Sequence, residues 1–390
     1  MNKISLTCYA LIIFFSCCKK PFNPPASSTS NSYLVVEGII NSGNDSTIIK
    51  LSRTVKLTAA VTTNPVLGAS VTVEGDQGGS YPLVDAMGTG NYGSGPLNLP
   101  STQKYRLHIR TGAGGEYVSD FVAVKPTPPI DSIGFKLDLK DSTTNLYVNA
   151  HDPANNTRYY RWEYNETWIF HAKYVSSFVL NEAGNAIVER TADQQVYYCF
   201  QSDASDIIIL NSTSKLAQDI VAQQPLIQIP LTSEKFESKY SILVKQYALT
   251  PDAYQFYQNI KKNTEQLGSI FDAQPTELMG NIHNVSNATE PVIGYVTVTN
   301  SQSKRIFITP DQLPKYLLAK YPYDCEEKPS YYINQTGMDV QTILINPPLT
   351  DIPTSAILNP MGKIIGFNYS TPICVDCTLR GTIQVPPFWQ

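Results

Sequence analysis

Short runs rich in Val, Ile, Tyr and Thr recur at close intervals along the first third of this chain, and Gly, Asn and Asp separate them. The runs are "SYLVVEGIIN", "STIIKLSRTVKL", "GASVTVEG", "KYRLHIRT" and "EYVSDFVAV". Strands of this length with turn residues between them are typical of antiparallel β-sandwiches. We therefore predict an N-terminal β-sandwich at 32–124.

A proline-rich segment follows this first region. The sequence "KPTPPI" at 125–130 contains three prolines in six residues. Because proline removes a backbone donor and stiffens the chain, the segment predicts a linker between two domains. Strand-like runs return beyond it, including "IDSIGFKLDL", "DIIIL" and "PVIGYVTVTN". We therefore predict a second β-rich region at 131–390 and an all-β fold of tandem sandwich modules.

One helix interrupts the second region, and we predict it near 251–267. Thr250 can cap its N-terminus, Pro251 suits the first turn, and Gly268 ends the pattern. Between these limits, apolar side chains follow helical spacing at Tyr254, Tyr257 and Ile260.

An aromatic strand is predicted from the sequence "YYRWEYNETWIFHAKY". Aromatic and polar side chains alternate with a period of two, which indicates a half-buried strand, with a hairpin turn near Asn165-Glu166 as an alternative. We predict that the aromatic side chains lie in the core. The alternative is an exposed binding face on which sugars stack. This face consists of Tyr160, Trp162, Tyr164 and Trp168.

The N-terminus has the pattern of an export signal. A positive start precedes a mostly apolar stretch, Ile4 to Phe15, that is too short to cross a membrane. Ser16 then precedes two adjacent cysteines, which resembles a bacterial lipobox. We predict a lipoprotein signal peptide at 1–16 and lipidation at Cys17, with Cys18 as the alternative. The segment 17–31, rich in Pro, Ser and Asn, is predicted to tether the protein to the membrane.

Several classes of function are disfavoured by the sequence. A net charge of -4 without a basic block gives no surface for nucleic acid. The glycine pattern "GTGNYG" is followed by prolines rather than by a helix, so we predict no nucleotide cofactor. The four histidines are far apart and form no zinc motif, so no metal site is predicted. We expect a protein that binds rather than an enzyme.

Four cysteines lie in the exported part of the chain, where an oxidising compartment permits disulfides. They are Cys199, Cys325, Cys374 and Cys377. A redox-active pair or a structural zinc site is the alternative, but the C-x-x-C motif here has no helical context. We expect Cys325 to pair with Cys374 or Cys377, and Cys199 to pair with the other.

Several segments together resemble a known lipoprotein family of Bacteroidetes-type bacteria. They are the lipobox, "LVVEG", "NPVLGASVTVEG", "KPTPPIDSI", the aromatic strand, the block Tyr240 to Val296 and "CVDCTLRGTIQVPPFW". The family is known as a domain of unknown function, number forty-two forty-nine, and the resemblance covers the mature chain. It implies a transthyretin-like or Ig-like first sandwich, and a second that is similar to fibronectin type III or Ig-like modules.

The resemblance also implies a function without assigning site residues. Members resemble cell-envelope lipoproteins that are often encoded beside TonB-dependent outer-membrane receptors. We expect an accessory binding subunit of such a receptor, acting in nutrient uptake and anchored by lipid in the outer membrane. A free-standing adhesin or glycan-binding module is the alternative. Lys19 and Lys20 follow the predicted anchor where surface-exported lipoproteins usually carry acidic residues, so the membrane face stays open.

Overall fold

The structure is a computed structural model, and it describes residues 32–55, 63–183, 186–265, 280–314, 319–331 and 350–389. The predicted signal peptide, the lipidation candidates Cys17 and Cys18 and the predicted tether lie outside the described residues. Within the described ranges, no helix combines the length and the apolar character that a membrane crossing requires.

Strands dominate the described chain. The first eight are β1 Leu34–Asn41, β2 Ser46–Arg53, β3 Ser70–Gly75, β4 Ser80–Leu83, β5 Asn91–Pro96, β6 Lys104–Arg110, β7 Glu116–Ser119 and β8 Val122–Ala123. The next nine are β9 Ile130–Asp138, β10 Thr143–His151, β11 Tyr159–His171, β12 Phe178–Leu180, β13 Ile187–Glu189, β14 Tyr198–Ala204, β15 Ile209–Ser212, β16 Ile220–Pro230 and β17 Lys239–Ala248. The last seven are β18 Ile282–Asn284, β19 Val292–Ile293, β20 Val298–Thr299, β21 Gln302–Ile308, β22 Lys328–Tyr331, β23 Ile352–Leu358 and β24 Ile364–Ser370.

Helices are few among the described residues. Helix α1 spans Pro251–Glu265 and helix α2 spans Pro372–Val375. Four 3₁₀ turns lie at Ala192–Gln194, Glu234–Phe236, Pro310–Gln312 and Cys377–Leu379. The sandwich-type all-β fold with an inserted helix, which the sequence predicts, is confirmed. The last residues of the predicted helix, beyond Glu265, lie outside the described ranges.

The first sandwich packs two sheets face to face. One contains β19, β1, β2 and β5, with β20 also on β1, and the other contains β18, β7, β6, β3 and β4, with β8 on β6. Side chains alternate between core and surface: in β6, Tyr105, Leu107 and Ile109 are buried and the residues between them are not. This period of two gives each sheet one apolar face, and burial of the two faces forms the core.

Residues 280–299 belong to this first sandwich, although the sequence places them in the second region. Strand β18 pairs with β7, and β19 and β20 both lie parallel to β1. Ile282, Val292 and Val298 are buried in the first core. The chain therefore leaves the first sandwich, builds most of the second and returns. The returning strands are only two or three residues long, so they carry no periodicity from which their partner could be predicted.

The second sandwich packs a sheet of β16, β10 and β9 against a sheet of β14, β11, β17 and β21, with β15 also on β11. Its core combines aromatic side chains, mostly from β11, with aliphatic side chains from both sheets. The side chains of Trp162 and Phe170 on β11 lie in the same buried cluster as Leu146 and Val148 on β10. A smaller sheet of β22, β24 and β23 and the hairpin of β12 and β13 complete the described chain.

The proline-rich segment at 125–130 fixes the two sandwiches to each other. The hydroxyl of Thr127 accepts a hydrogen bond from the backbone N–H of Ala248 at 2.9 Å and shares another with Thr299 at 2.8 Å. The Gln246 amide donates to the carbonyl of Pro128 at 2.8 Å. Thr127 and Pro128 are buried. The segment predicted as a linker is therefore an integral part of the interface between the sandwiches.

Candidate functional site

The aromatic face of β11 lies inside the second core. Tyr160 and Trp162 have no exposed area, and Tyr164 and Trp168 are at most 5% exposed. Tyr160 stacks on Trp162 with ring centroids 5.4 Å apart. These four side chains therefore hold the sandwich together, and the candidate sugar-stacking face is not accessible to a ligand.

The four cysteines form two disulfides in the structure. Cys199 is bonded to Cys377, and Cys325 is bonded to Cys374. This is one of the two pairings that the sequence leaves open. The first bond joins the C-terminal segment to strand β14. The second joins helix α2 to the segment before β22.

Each histidine contacts a carboxylate in the structure. His108 lies between Glu74 and Glu116 at 2.6 and 2.7 Å, and the other three pair singly, His151 with Asp131, His171 with Glu237 and His283 with Asp120. Among the described residues, no group of three or more His, Cys, Asp and Glu side chains could hold a metal ion. The four histidines therefore lie in separate side-chain contacts with carboxylates.

A cleft of about 730 Å³ lies where the two sandwiches and helix α1 meet. We call it the interdomain cleft. Strands β1 and β2 form one wall, the outward face of β11 and β17 forms the second, and α1 forms the third. The side chains that decide its chemistry are Glu37, Asp45, Ile48, Lys50, Arg161, Glu163, Lys245, Tyr247, Phe256, Tyr257, Ile260 and Tyr295.

Two glycines allow backbone segments to pack closely at the edge of the cleft. Gly38 has φ +135° and Gly294 has φ +152°, conformations that L side chains rarely adopt. A Cβ atom at Gly294 would lie 2.4 Å from the carbonyl oxygen of Val36, and one at Gly38 would lie 2.3 Å from that of Ile48. Only glycine therefore lets the returning chain approach β1 at the edge of the cleft.

The charges along the cleft are paired. Lys50 contacts Glu37 at 2.8 Å and Lys245 contacts Asp45 at 2.7 Å. Burial acts to raise the pKa of Asp45, but hydrogen bonds from Lys245 and from the backbone of Ser46 outweigh it, so the pKa lies below its ordinary value. Each cation is thus matched by an anion, and these side chains carry no net charge.

The third ion pair, between Arg161 and Glu163, lies beneath helix α1. The Arg161 guanidinium lies over the ring of Tyr257 on the helix at 4.6 Å and over the ring of Tyr247 on β17 at 5.9 Å. The hydroxyl of Tyr247 donates to Glu163 at 3.1 Å. Burial acts to lower the pKa of Arg161, but Tyr257 and Glu163 raise it above the ordinary value, so the side chain stays charged. The pair therefore fastens the helix to the sheet.

Replacing Arg161 with alanine should lower the free energy of unfolding by about 2–3 kcal/mol, because a charge-assisted hydrogen bond and two cation–π contacts are lost together. The matched control is Lys50→Ala, whose ion pair with Glu37 is half-exposed at 51% and 55%. An exposed pair contributes about 0–1 kcal/mol. Urea unfolding followed by circular dichroism measures both. Equal losses would contradict the role assigned to Arg161.

No site at the cleft is predicted from the sequence. Arg161 and Glu163 occupy the positions between the aromatic ones on β11, and such positions commonly face solvent. The available signal is that Phe256, Tyr257 and Ile260 give α1 an apolar face of its own, which requires a surface to cover. That surface combines Arg161 on β11, which lies over the ring of Tyr257, with apolar neighbours such as Leu210 and Tyr295.

Comparison with known proteins gives a family and little else. Residues 19–305 match the family described as Domain of unknown function (DUF4249). No curated protein matches significantly. The crystal structure of trypsin-activated alpha-2-macroglobulin from Escherichia coli aligns with 56% of this chain at 11% identity and a TM-score of 0.18. The aligned part spans 14% of that protein.

Proposed function

Because this chain belongs to the family described as Domain of unknown function (DUF4249), a description that assigns no activity, we propose a function on physical grounds. The protein is a binding subunit of the bacterial cell envelope that holds a small ligand in the interdomain cleft. It serves as an accessory lipoprotein of a TonB-dependent outer-membrane transporter, anchored by the lipid on Cys17 or Cys18.

The observation that carries this proposal is the cleft itself. Its volume of about 730 Å³ lies within the range of about 300–1,000 Å³ that is usual for small-molecule sites. Such sites occur preferentially at domain interfaces and combine apolar walls with a few polar groups. Here Phe256 and Ile260 supply apolar surface, while Lys50, Arg161 and Lys245 supply hydrogen-bond donors.

Binding fits the chemistry of the cleft better than catalysis does. A general acid or base must be free to exchange a proton with the substrate. The carboxylates of Glu37, Asp45 and Glu163 each pair with a cation instead. Paired groups of this kind orient a ligand and hold the walls of the cleft in place.

The membrane and transporter parts of the proposal have separate support. The N-terminal sequence resembles a lipobox, and the family resemblance implies a place beside TonB-dependent receptors. Two disulfides suit an oxidising compartment such as the periplasm or the cell surface. The alternative of a glycan-binding module that uses the aromatic face of β11 loses its surface, because that face is buried.

The first test asks whether the cleft holds a ligand. Ile48 on β2 lines the cleft and is 56% exposed, so Ile48→Trp should block the opening without disturbing the core. The matched control is Ile220→Trp, because Ile220 on β16 is 49% exposed and lies outside the cleft. Each protein is purified from its native cells and denatured, and mass spectrometry identifies the small molecules released. We expect one compound from the wild type and the control, and at least tenfold less from Ile48→Trp.

The second test asks for the partner. The protein is purified from native membranes in mild detergent, and the co-purifying proteins are identified by mass spectrometry. A TonB-dependent barrel in stoichiometric amount is the expected result. The double replacement of Cys17 and Cys18 by serine removes the predicted anchor and should release the protein from the membrane fraction. A lipoprotein that purifies without any barrel would rule out the transporter role but leave the ligand test intact.

A further inference from the structure

A second concave surface lies on a different face of helix α1. It encloses about 750 Å³ and shares no residue with the interdomain cleft. Its walls are the first two turns of α1, strand β15 with the turn after it, and one position each on β11 and β16. We call it the amide groove, because four side-chain amides line it: Asn211, Gln224, Gln255 and Gln258.

The polar groups of the groove are ordered by contacts among themselves. The Asn211 amide donates to the side-chain oxygen of Gln224 at 2.6 Å, and the Gln224 amide donates to the carbonyl of Pro225 at 2.9 Å. Ser212 donates to the hydroxyl of Ser214 at 2.9 Å. These bonds join β15 to β16 and fix the direction in which the remaining donors and acceptors point. Little order has to be imposed when a ligand binds, which favours affinity.

Free hydrogen-bonding capacity remains in the groove. Each side-chain amide offers two N–H donors and an oxygen with two lone pairs, so Asn211 and Gln224 keep part of theirs after this contact. Within the described part of the chain, the side chain of Gln258 makes no hydrogen bond. Donors and acceptors are therefore available both on the strand wall and on the helix wall of the groove, as a ligand that carries hydroxyl groups requires.

An aromatic surface forms another wall. Tyr159 and Tyr254 lie with ring centroids 5.0 Å apart and planes inclined at 45°, and both side chains are half-buried. Their exposed parts offer an aromatic surface on which a sugar ring can pack. Unlike the tyrosines of the β11 core face, these two are accessible from solvent.

The charge balance indicates a neutral ligand. Lys215 and Asp252 are the charged side chains that line the groove, and their formal charges cancel. An anionic ligand would be expected to meet a surplus of Lys or Arg, as in other anion sites. An extended peptide is commonly held by the backbone of a sheet edge, whereas four residues with side-chain amides line this groove.

We propose that the amide groove binds a neutral oligosaccharide, with a sugar ring packed on Tyr254 and hydroxyl groups bonded to Asn211 and Gln258. The site is separate from the interdomain cleft, so the protein carries two ligand sites on two faces of one helix. The inference does not depend on the function proposed for the cleft.

The test is isothermal titration calorimetry of the full mature protein with a defined set of probes. The neutral probes are hexasaccharides of α-1,4-glucose, β-1,4-glucose, β-1,4-xylose and β-1,4-mannose, and the comparison probes are hexagalacturonate and a neutral hexapeptide mixture. We expect at least one neutral hexasaccharide to bind. Tyr254→Ala should weaken that binding about tenfold, since the aromatic contact is lost. Gln258→Ala should weaken it several-fold through the loss of a hydrogen bond.

Two controls separate the groove from other effects. Tyr331→Ala removes a tyrosine that is 54% exposed and lies outside the groove, and it should bind like the wild type. Ile48→Trp blocks the interdomain cleft and should leave sugar binding unchanged. The proposal is overturned if no neutral hexasaccharide binds at about 5 mM, if only hexagalacturonate or the peptides bind, or if Tyr254→Ala binds as tightly as the wild type.

Discussion

Replacing Trp162 with alanine is expected to lower the free energy of unfolding by about 3–5 kcal/mol, the usual cost of removing a large buried aromatic side chain. The side chain has no exposed area and stacks on Tyr160 in the centre of the second sandwich. Domains are stable by only about 5–15 kcal/mol, so the loss is close to the whole stability of a marginal protein.

A second effect brings the loss to the upper end of this range. The indole N–H of Trp162 donates to the side-chain oxygen of Gln246 at 2.9 Å, and Gln246 is itself fully buried. Without the indole, the side-chain oxygen of Gln246 stays buried and has no hydrogen-bond donor. A buried acceptor without a partner costs about 1–3 kcal/mol. The other end of Gln246 holds the proline-rich segment through Pro128. The loss of stabilising contacts should therefore extend from the second core to the interface between the sandwiches.

Urea unfolding followed by near-ultraviolet circular dichroism measures the change. Trp162→Phe keeps most of the ring volume and loses the N–H, so it should cost about 1–3 kcal/mol and stay folded if the alanine variant does not. The matched control is Trp389→Ala, because Trp389 is half-buried and packs edge-on against Phe200 and Phe307 near the C-terminus. A loss at Trp162 no greater than at Trp389 would contradict the central place of Trp162 in the core.

The strand pattern can be predicted from the sequence because burial of one sheet face leaves a period of two. In β11, the alternation predicts the buried face correctly, while the alternative of a hairpin near Asn165-Glu166 is wrong. The strand runs through both residues, which pair with β14 on one side and β17 on the other. Glu166, only 2% exposed, also bonds to Lys235 at 2.8 Å and to the hydroxyl of Tyr240 at 2.6 Å. Burial and this carboxylate raise the pKa of Tyr240 above its ordinary value. Contacts between residues so far apart in the chain cannot be predicted from a local sequence pattern.

Both candidate sites depend on such distant partners. The interdomain cleft brings Lys50, Arg161 and Tyr257 together from three separate segments, and the return of residues 280–299 to the first sandwich closes one edge. In the amide groove, only the fold brings Tyr159 on β11 next to Tyr254 on α1. The sequence supplies the residue types of each site, but the topology that assembles them depends on contacts between sheets.

Removing the disulfide between Cys199 and Cys377 should lower the free energy of unfolding by about 3–5 kcal/mol. A covalent link restricts the unfolded chain more when it closes a longer loop, and this bond joins residues 178 positions apart. It also holds the C-terminal segment to β14, where the backbones of Phe200 and Thr382 exchange hydrogen bonds at 2.7 and 2.9 Å. Because both sulfurs are buried, alanine is the appropriate replacement at each position.

The second disulfide provides the matched comparison. Cys325 and Cys374 are 49 positions apart, so loop entropy predicts that replacing both with alanine costs about 1 kcal/mol less than replacing Cys199 and Cys377. Urea unfolding gives both values, and limited proteolysis of the folded variants shows which one exposes the C-terminal segment. We expect early cleavage after residue 377 only when Cys199 and Cys377 are replaced. If replacing Cys325 and Cys374 lowers the free energy of unfolding more than replacing Cys199 and Cys377 does, the stabilisation comes from native contacts around α2 rather than from restriction of the unfolded chain.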